Sequence, residues 1–142
     1  MTDEVSSGNI ETKLAYDGSS VDWFLQRLSN LTNSSDLEFG ITLQVSGTTV
    51  TGTLIGGEKY FKLFAESFSQ AWPYEDKEEI RDAFESNADI YKNVDKDEDL
   101  PPTQYVHLKD ALFFDGGYKF PNEGTLWRGV LPRFYGHIHK EA

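Results

Sequence analysis

Two stretches of the chain place apolar residues three and four positions apart, the spacing of a helix with one buried face. The first predicts a helix from about residue 20 to 31, with Ser19 and Asp22 as a capping pair at its start. The second predicts a helix that begins after Gly56-Gly57 and ends before Pro73. A third, very acidic helix is predicted from about 75 to 91.

Strict alternation of apolar and polar residues, typical of half-buried strands, runs over residues 38–56. Ser46-Gly47 divides this stretch into a β-hairpin. Gly52 lies mid-strand, where a glycine marks a bend or a close backbone approach. Three more strands are predicted at 105–114, 125–131 and 134–139. Residues 119–124 are expected to form a loop.

This order of elements favours a mainly β (α+β) fold, a small and strongly bent five-stranded barrel. An N-terminal helix precedes the barrel, and a helical insertion separates its second and third strands. We expect a flexible acidic tail over 1–18 and a single domain over 19–142, with the acidic insertion at about 57–103. The first residues are polar and acidic, and are not typical of a secretion signal.

Composition narrows the classes of function. The chain has 142 residues and no cysteine, which excludes disulfides and thiolate chemistry and fits a cytoplasmic location. No apolar run has the length of a membrane span, about 20 residues. The net charge is −11, and residues 75–99 alone hold 11 acidic and 4 basic residues, a net of −7. Such a chain repels nucleic acid at long range unless a basic patch compensates.

Two patterns suggest a metal, and neither is complete. Asp95–Asp99 resembles the start of a calcium loop, but Leu100 stands where that loop has glycine and Val106 where it has glutamate. A solvated acidic loop is the simpler interpretation. His137 and His139 fall on one face of the last predicted strand, but zinc needs a third ligand and usually a fourth. No metal and no cofactor are therefore expected.

Catalytic motifs are not present in the sequence. It contains no nucleophile motif, phosphate loop or dinucleotide fingerprint. Gly56-Gly57 before a helix is a possible anion site, but Glu58 in the first turn repels an anion. We expect a protein that is not an enzyme. A divergent enzyme that uses an aromatic pocket is a weaker alternative, and it requires a deep cleft with converging polar groups.

One resemblance concerns the barrel. The hairpin segment Gly47–Gly56, the strand His107–Ala111 and the pair Arg128-Gly129 resemble the motifs of Sm-like proteins. This implies an N-terminal helix, a five-stranded bent barrel and assembly into rings through strand edges. Here about 45 residues are inserted between the second and third strands. The asparagine with which that family reads RNA falls on Tyr105 or, if the insertion is ignored, on Lys62, which weakens the RNA-binding interpretation.

A second resemblance covers about two-thirds of the chain. The hairpin and helix of 39–68, which include GTLIGGEKYFKLFAESF, are similar to the gas vesicle accessory protein U family. So are YVHLKDALFF at 105–114, GTLWRGV at 124–130 and YGHI at 135–138. The resemblance implies a cytoplasmic, non-enzymatic role in gas vesicle assembly or organisation, through contacts with shell or other assembly proteins.

The strongest binding candidates are aromatic. The stripe of the second predicted helix either packs wholly on the barrel or extends past it as an apolar patch for a partner. Tryptophan and arginine are enriched at interfaces. The candidate interaction residues are Tyr60, Phe64, Phe68, Trp72, Trp127 and Arg128. We expect a homo-oligomeric accessory protein with no membrane or nucleic-acid partner, and an Sm-like RNA-binding ring is the main alternative.

Overall fold

The computed structural model describes residues 22–92 and 103–131, together with the backbone of 135–138. In chain order its helices are α1 (Trp23–Asn33), α2 (Gly57–Ala71), α3 (Lys77–Glu85) and a 3₁₀-helix, η1 (Ser86–Tyr91). Its strands are β1 (Phe39–Val45), β2 (Thr48–Ile55), β3 (Tyr105–Asp115), β4 (Tyr118–Val130) and β5 (Tyr135–Ile138). The fold is therefore α+β, with an N-terminal helix and helices between β2 and β3, as predicted.

The predicted acidic tail, the charged segment 93–102 and His139 lie outside the described residues. The division into a tail and one domain consequently stays a prediction. No helix in the described part of the chain is long and apolar enough to cross a membrane.

Helix α1 begins where an acidic side chain can cap it. Asp22 is the N-cap, and its Oδ1 accepts a hydrogen bond from the backbone N–H of Leu25 at 3.0 Å. The sequence predicts Asp22 as the partner of a Ser19 cap; Ser19 lies outside the described residues, and Asp22 is itself the N-cap of the helix. Leu25 is the buried apolar anchor that joins α1 to the core.

The sheet is antiparallel and has the strand order β4-β3-β2-β1-β5. Four principal strands, β1 to β4, build it, and the short β5 pairs along β1. Among the described residues β4 and β5 are the two ends of this order, so the sheet is open. The closed five-stranded barrel predicted from the sequence is not confirmed, because closure needs a pairing between the two outermost strands.

The β3–β4 hairpin corrects one prediction. Residues 119–124 were expected to be a loop, but β4 already begins at Tyr118. Gly116 and Gly117 have φ angles of 56° and 89°, which permit a two-residue turn that pairs Asp115 with Tyr118. Because the turn comes this early, the polar residues after Tyr118 belong to β4.

A bulge bends the sheet at Asp110, whose φ is 53°. The pairing registers of β3 with β2 and with β4 both shift there. The neighbouring strands carry glycine at the same level: a Cβ on Gly52 would meet Lys109 O at 3.0 Å, and one on Gly124 would meet Asp110 Cα at 2.5 Å. The close backbone approach predicted at Gly52 is thus confirmed, and it extends across three strands.

One face of the sheet forms the hydrophobic core with α1. Each fully buried aliphatic side chain there contributes about 1.5–3 kcal/mol to folding. Phe113 and Trp127 pack against the margin of this core. Its buried members are Leu25, Ile41, Leu43, Val50, Leu54, Val106, Leu108, Ala111 and Leu131. The opposite face of β3 carries His107 and lies against α2.

The acidic third helix is shorter than predicted. The α-helix α3 ends at Glu85, and the 3₁₀-helix continues to Tyr91. Phe84 of α3 packs on α2, and Tyr91 of the 3₁₀-helix packs on Phe61 with 6.0 Å between ring centroids. Three of the four acidic side chains of α3, those of Glu78, Glu79 and Asp82, are exposed, as expected for a helix with one apolar face.

Candidate aromatic groove

The predicted aromatic stripe of α2 forms a continuous ladder of rings. Tyr60 and Phe64 stack with 6.3 Å between ring centroids, Phe64 and Phe68 with 5.7 Å, and Phe68 and Trp72 lie 5.8 Å apart. Positions 60, 64, 68 and 72 fall on one helix face because they are four residues apart. The ladder therefore runs the length of α2.

Behind this ladder, α3 holds the rings in place. The ring of Phe84 lies 5.5 Å from that of Phe64 and 4.7 Å from that of Phe68. At the end of α2 the indole N–H of Trp72 donates to Asp76 Oδ1 at 2.7 Å. The ladder is therefore supported on one side by apolar packing and fixed at its end by a hydrogen bond.

On its other side the ladder faces an open groove of about 740 Å³. The wall formed by α2 is mostly apolar, and Leu63 at its rim keeps 38% of its surface exposed. The opposite wall is the bulged part of β3 and β4. The lining residues are Tyr60, Leu63, Phe64, Ser67, Phe68, Ala71, Lys109, Asp110, Gly124, Thr125 and Leu126. We call this surface the aromatic groove.

Next to the groove, His107 is enclosed by aromatic rings and is 1% exposed. The rings of Tyr60 and Tyr91 lie 4.8 and 5.5 Å from the imidazole centroid. Arg128 is directly opposite in the β3–β4 register, and its Nε donates a hydrogen bond to His107 Nε2 at 3.0 Å. The Arg128 guanidinium carbon also lies 3.5 Å from the centroid of the Tyr105 ring, a cation–π contact.

This environment keeps His107 neutral. Burial in an apolar site, and secondarily the positive charge of Arg128, lower the pKa of the imidazole from 6.5 to about 3. Since Nε2 accepts a hydrogen bond from Arg128, the neutral ring carries its own proton on Nδ1. Burial also raises the pKa of Tyr60 above its ordinary value. At neutral pH neither group therefore offers a charge to a ligand.

A three-membered ion cluster fixes α2 to the sheet. Glu38 accepts hydrogen bonds from Lys59 of α2 and from Lys109 of β3, the latter at 2.8 Å. The bond from Lys109, followed by that from Lys59, holds the pKa of Glu38 below its usual value. The cluster lies near the Tyr60 end of the groove and neutralises one of the two lysine charges there.

A second apolar surface lies at the tip of the β3–β4 hairpin, residues 113–120. Phe113 and Phe120 stack with 5.5 Å between ring centroids. Tyr118 is 78% exposed, Phe120 48% and Phe114 38%.

The acidic charge of the described chain is unevenly distributed. Residues 105–131 hold three acidic and three basic residues and are neutral, whereas residues 22–92 hold twelve acidic and six basic residues.

The predicted interaction residues separate into two groups. Tyr60, Phe64 and Phe68 line the groove, and the other three do not. Trp72 extends the ladder beyond the groove. Trp127 packs at the margin of the core, with its ring 6.5 Å from that of Phe113, and Arg128 binds His107. Whether any of them contacts a partner stays a prediction.

The sequence did not identify Leu63, Asp110 and Gly124 as groove residues. Leu63 follows the apolar spacing of α2, so the sequence pattern could have identified it. Asp110 and Gly124 reach the groove only because β3 bulges. The pattern of apolar residues does not predict such a bulge. The contact between His107 and Arg128 follows from the strand register, which the sequence leaves undetermined.

Metal and RNA sites gain no support. No group of three or more potential metal ligands occurs among the described residues, and Asp95–Asp99 lies beyond them. For His137 only the backbone is described, opposite Thr42 in the β1–β5 register. Arg128, the residue of the RNA-binding alternative, is engaged by His107 and the Tyr105 ring. Nothing observed here favours an RNA-binding ring.

The fold and groove together define a small α+β domain whose prominent feature is an open aromatic surface. Comparison with protein families gives a match over residues 22–141 to the family described as gas vesicle protein GvpU-like. The chain belongs to this GvpU-like family of gas vesicle proteins, as the resemblance in the sequence implied. Comparisons with curated proteins and with solved structures gave no match.

Proposed function

We propose that the protein is a non-enzymatic gas vesicle accessory protein that acts in the cytoplasm by binding shell or other assembly proteins. The observation that carries the proposal is the aromatic groove, an open groove of about 740 Å³ with a mostly apolar helical wall, in a member of the GvpU-like family. Water-exposed apolar surface of this kind marks interaction sites. One wall is a helix and the other is a pair of bulged strands, and side chains on such elements are placed more precisely than side chains on loops.

Flotation tests this proposal directly, because gas vesicles rise on centrifugation and carry bound protein with them. Purified vesicles mixed with the purified protein should retain it in the floating layer. Leu63→Gln places a polar amide at the groove rim and should reduce the retained fraction. Leu31→Gln is the matched control, since Leu31 is 41% exposed on α1, away from the groove. Equal retention of the two variants, or no retention of the wild type, would contradict the proposal.

We also propose that the protein self-associates through β4. Within the described part of the chain this strand is at one end of the sheet order, where a further strand can add to a sheet. The adjoining hairpin tip exposes three aromatic rings. Because residues 105–131 are electrically neutral, two copies of an acidic chain can approach there with the least repulsion.

Sedimentation across a salt series tests the self-association. The wild type should form oligomers, and salt should favour them by screening the repulsion between acidic surfaces. The double variant Tyr118→Ser/Phe120→Ser should shift the distribution towards monomers, whereas Leu31→Gln should not. A monomer at every salt concentration would rule out self-association and leave the groove proposal to be judged by flotation.

A further inference from the structure

We propose that the aromatic groove binds an amphipathic helix of a partner protein, with basic residues on the part of that helix nearest α3. This inference rests on the proposed function, because it specifies the kind of segment that the vesicle partner presents. The length of the groove, the backbone hydrogen bonds of its helical wall and the charges along it support such a partner.

The α2 wall has the dimensions of a helix-binding surface. Its lining positions run from Tyr60 to Ala71, eleven residue steps, or about 16 Å at the rise of an α-helix. They follow the spacing of three and four residues by which one helix presents a stripe to another. A partner helix of about three turns would cover this length and the exposed rim at Leu63.

On the α2 wall, backbone hydrogen bonding favours a helix over an extended peptide. The N–H groups of α2 are already paired within the helix, beginning with Tyr60 N–H to Gly56 O at 3.0 Å. An extended peptide laid along α2 would find no backbone partners on that wall, and its own unpaired groups would cost free energy on burial. A helix satisfies its backbone internally and can present only side chains to the groove.

The charges of the groove differ between its two ends. At the Tyr60 end Lys59 and Lys109 are both bonded to Glu38. Beyond the Ala71 end, Asp76 accepts the hydrogen bond from Trp72, and the segment 75–79 to which it belongs has a net charge of −3. Along the sheet wall Asp110 is exposed and has no ion pair within the described part of the chain. A helix with lysine or arginine towards the Ala71 end and beside Asp110 would match these charges with opposite ones.

The experiment uses three synthetic 14-residue peptides labelled with a fluorophore. The first arranges leucine and lysine as an amphipathic helix, the second has the same composition in an order without an apolar stripe, and the third replaces each lysine with glutamate. Binding to the full-length protein is measured by fluorescence anisotropy at low and high salt. The first peptide should bind at least tenfold more tightly than the other two, and salt should weaken it.

Four protein variants assign the binding to the groove. Leu63→Gln should weaken the first peptide about tenfold, the loss expected for one leucine contact, and the Leu31→Gln control should not change it. Asp110→Asn keeps a residue type that tolerates positive φ and should weaken binding about two- to fivefold. Asp115→Asn, at the end of β3 next to the hairpin turn, should have no effect. Circular dichroism of each variant verifies its folding.

The outcomes separate this inference from the proposed function. Equal binding of the two lysine peptides would mean charge attraction without a helix site and would overturn the inference. Unchanged binding by Leu63→Gln would also overturn it. If Leu63→Gln abolishes flotation with vesicles while none of the peptides binds, the groove is a vesicle-binding surface but not a site for a basic helix. If the first peptide binds at the groove but flotation fails, the proposed function is at fault.

Discussion

The buried imidazole of His107 should make the stability of this fold depend on pH between about 5 and 7. In the folded protein the pKa is lowered to about 3, and the ordinary value of the unfolded chain is 6.5. Below pH 6.5 the unfolded chain therefore takes up a proton that the folded protein does not. Acidification therefore favours the unfolded state, and the full contribution of the neutral His107 to stability is present above pH 6.5.

The magnitude follows from the pKa difference. Each pH unit below 6.5 that remains above the folded pKa costs about 1.4 kcal/mol of unfolding free energy. Acidification from pH 7 to pH 5 should therefore cost about 2 kcal/mol. This window avoids the second acid-sensitive group, because Glu38 has its ordinary pKa at 4.5 and a lowered one in the fold. Its contribution is lost only below about pH 4.5.

Urea unfolding at pH 5, 6 and 7 measures this dependence. His107→Gln replaces the acceptor Nε2 with an amide oxygen that can still accept from Arg128, but it removes the titrating group. The variant should lose most of the pH slope, whatever its stability at pH 7. The double variant His137→Gln/His139→Gln removes the other two histidines of the chain and should keep the slope. A slope that persists in His107→Gln and disappears in the double variant would refute this reasoning.

Three further substitutions test the packing around the groove by urea unfolding. Glu38→Gln removes the ion pairs with Lys59 and Lys109, which are partly exposed, so we expect a loss of about 1 kcal/mol that shrinks in high salt. A loss of stability that does not change with salt concentration would contradict this expectation. Asp110→Ala should destabilise the fold by about 1 kcal/mol because alanine tolerates a φ of 53° poorly, and Asp110→Asn should cost much less. Equal losses in the two variants would show that the positive φ is not the cause. Gly124→Ala should cost about 2 kcal/mol or more, since its Cβ would lie 2.5 Å from Asp110 Cα, and a neutral effect would show that the strands can separate locally.

The sequence predicted the elements whose periodicity is strong. Helix α2 was bounded by Gly56-Gly57 and Pro73, and it runs from Gly57 to Ala71. The hairpin of β1 and β2 was equally clear, because one face is buried and the other is largely threonine. In both cases local pattern and tertiary burial agree, so the local signal was sufficient.

Prediction failed where long-range pairing decides the structure. The first half of β4, with Pro121 and Glu123, has no apolar alternation, and it is a strand because the Gly116-Gly117 turn folds it back along β3. The barrel was inferred from the number of strands, but closure depends on which strands are neighbours. For the groove, the helical wall was visible in the sequence as an aromatic stripe, whereas the sheet wall arises from the Asp110 bulge.

The most direct test of the account is to determine which face of the protein touches the vesicle. A photoreactive side chain can be placed at position 63, on the rim of the aromatic groove, or at position 31, which is similarly exposed on α1. Each protein is mixed with purified vesicles and illuminated, and the covalent products are identified by mass spectrometry. The account predicts that position 63 becomes linked to a helical segment of a vesicle protein and that position 31 does not. Efficient linkage from position 31 with none from position 63 would contradict it.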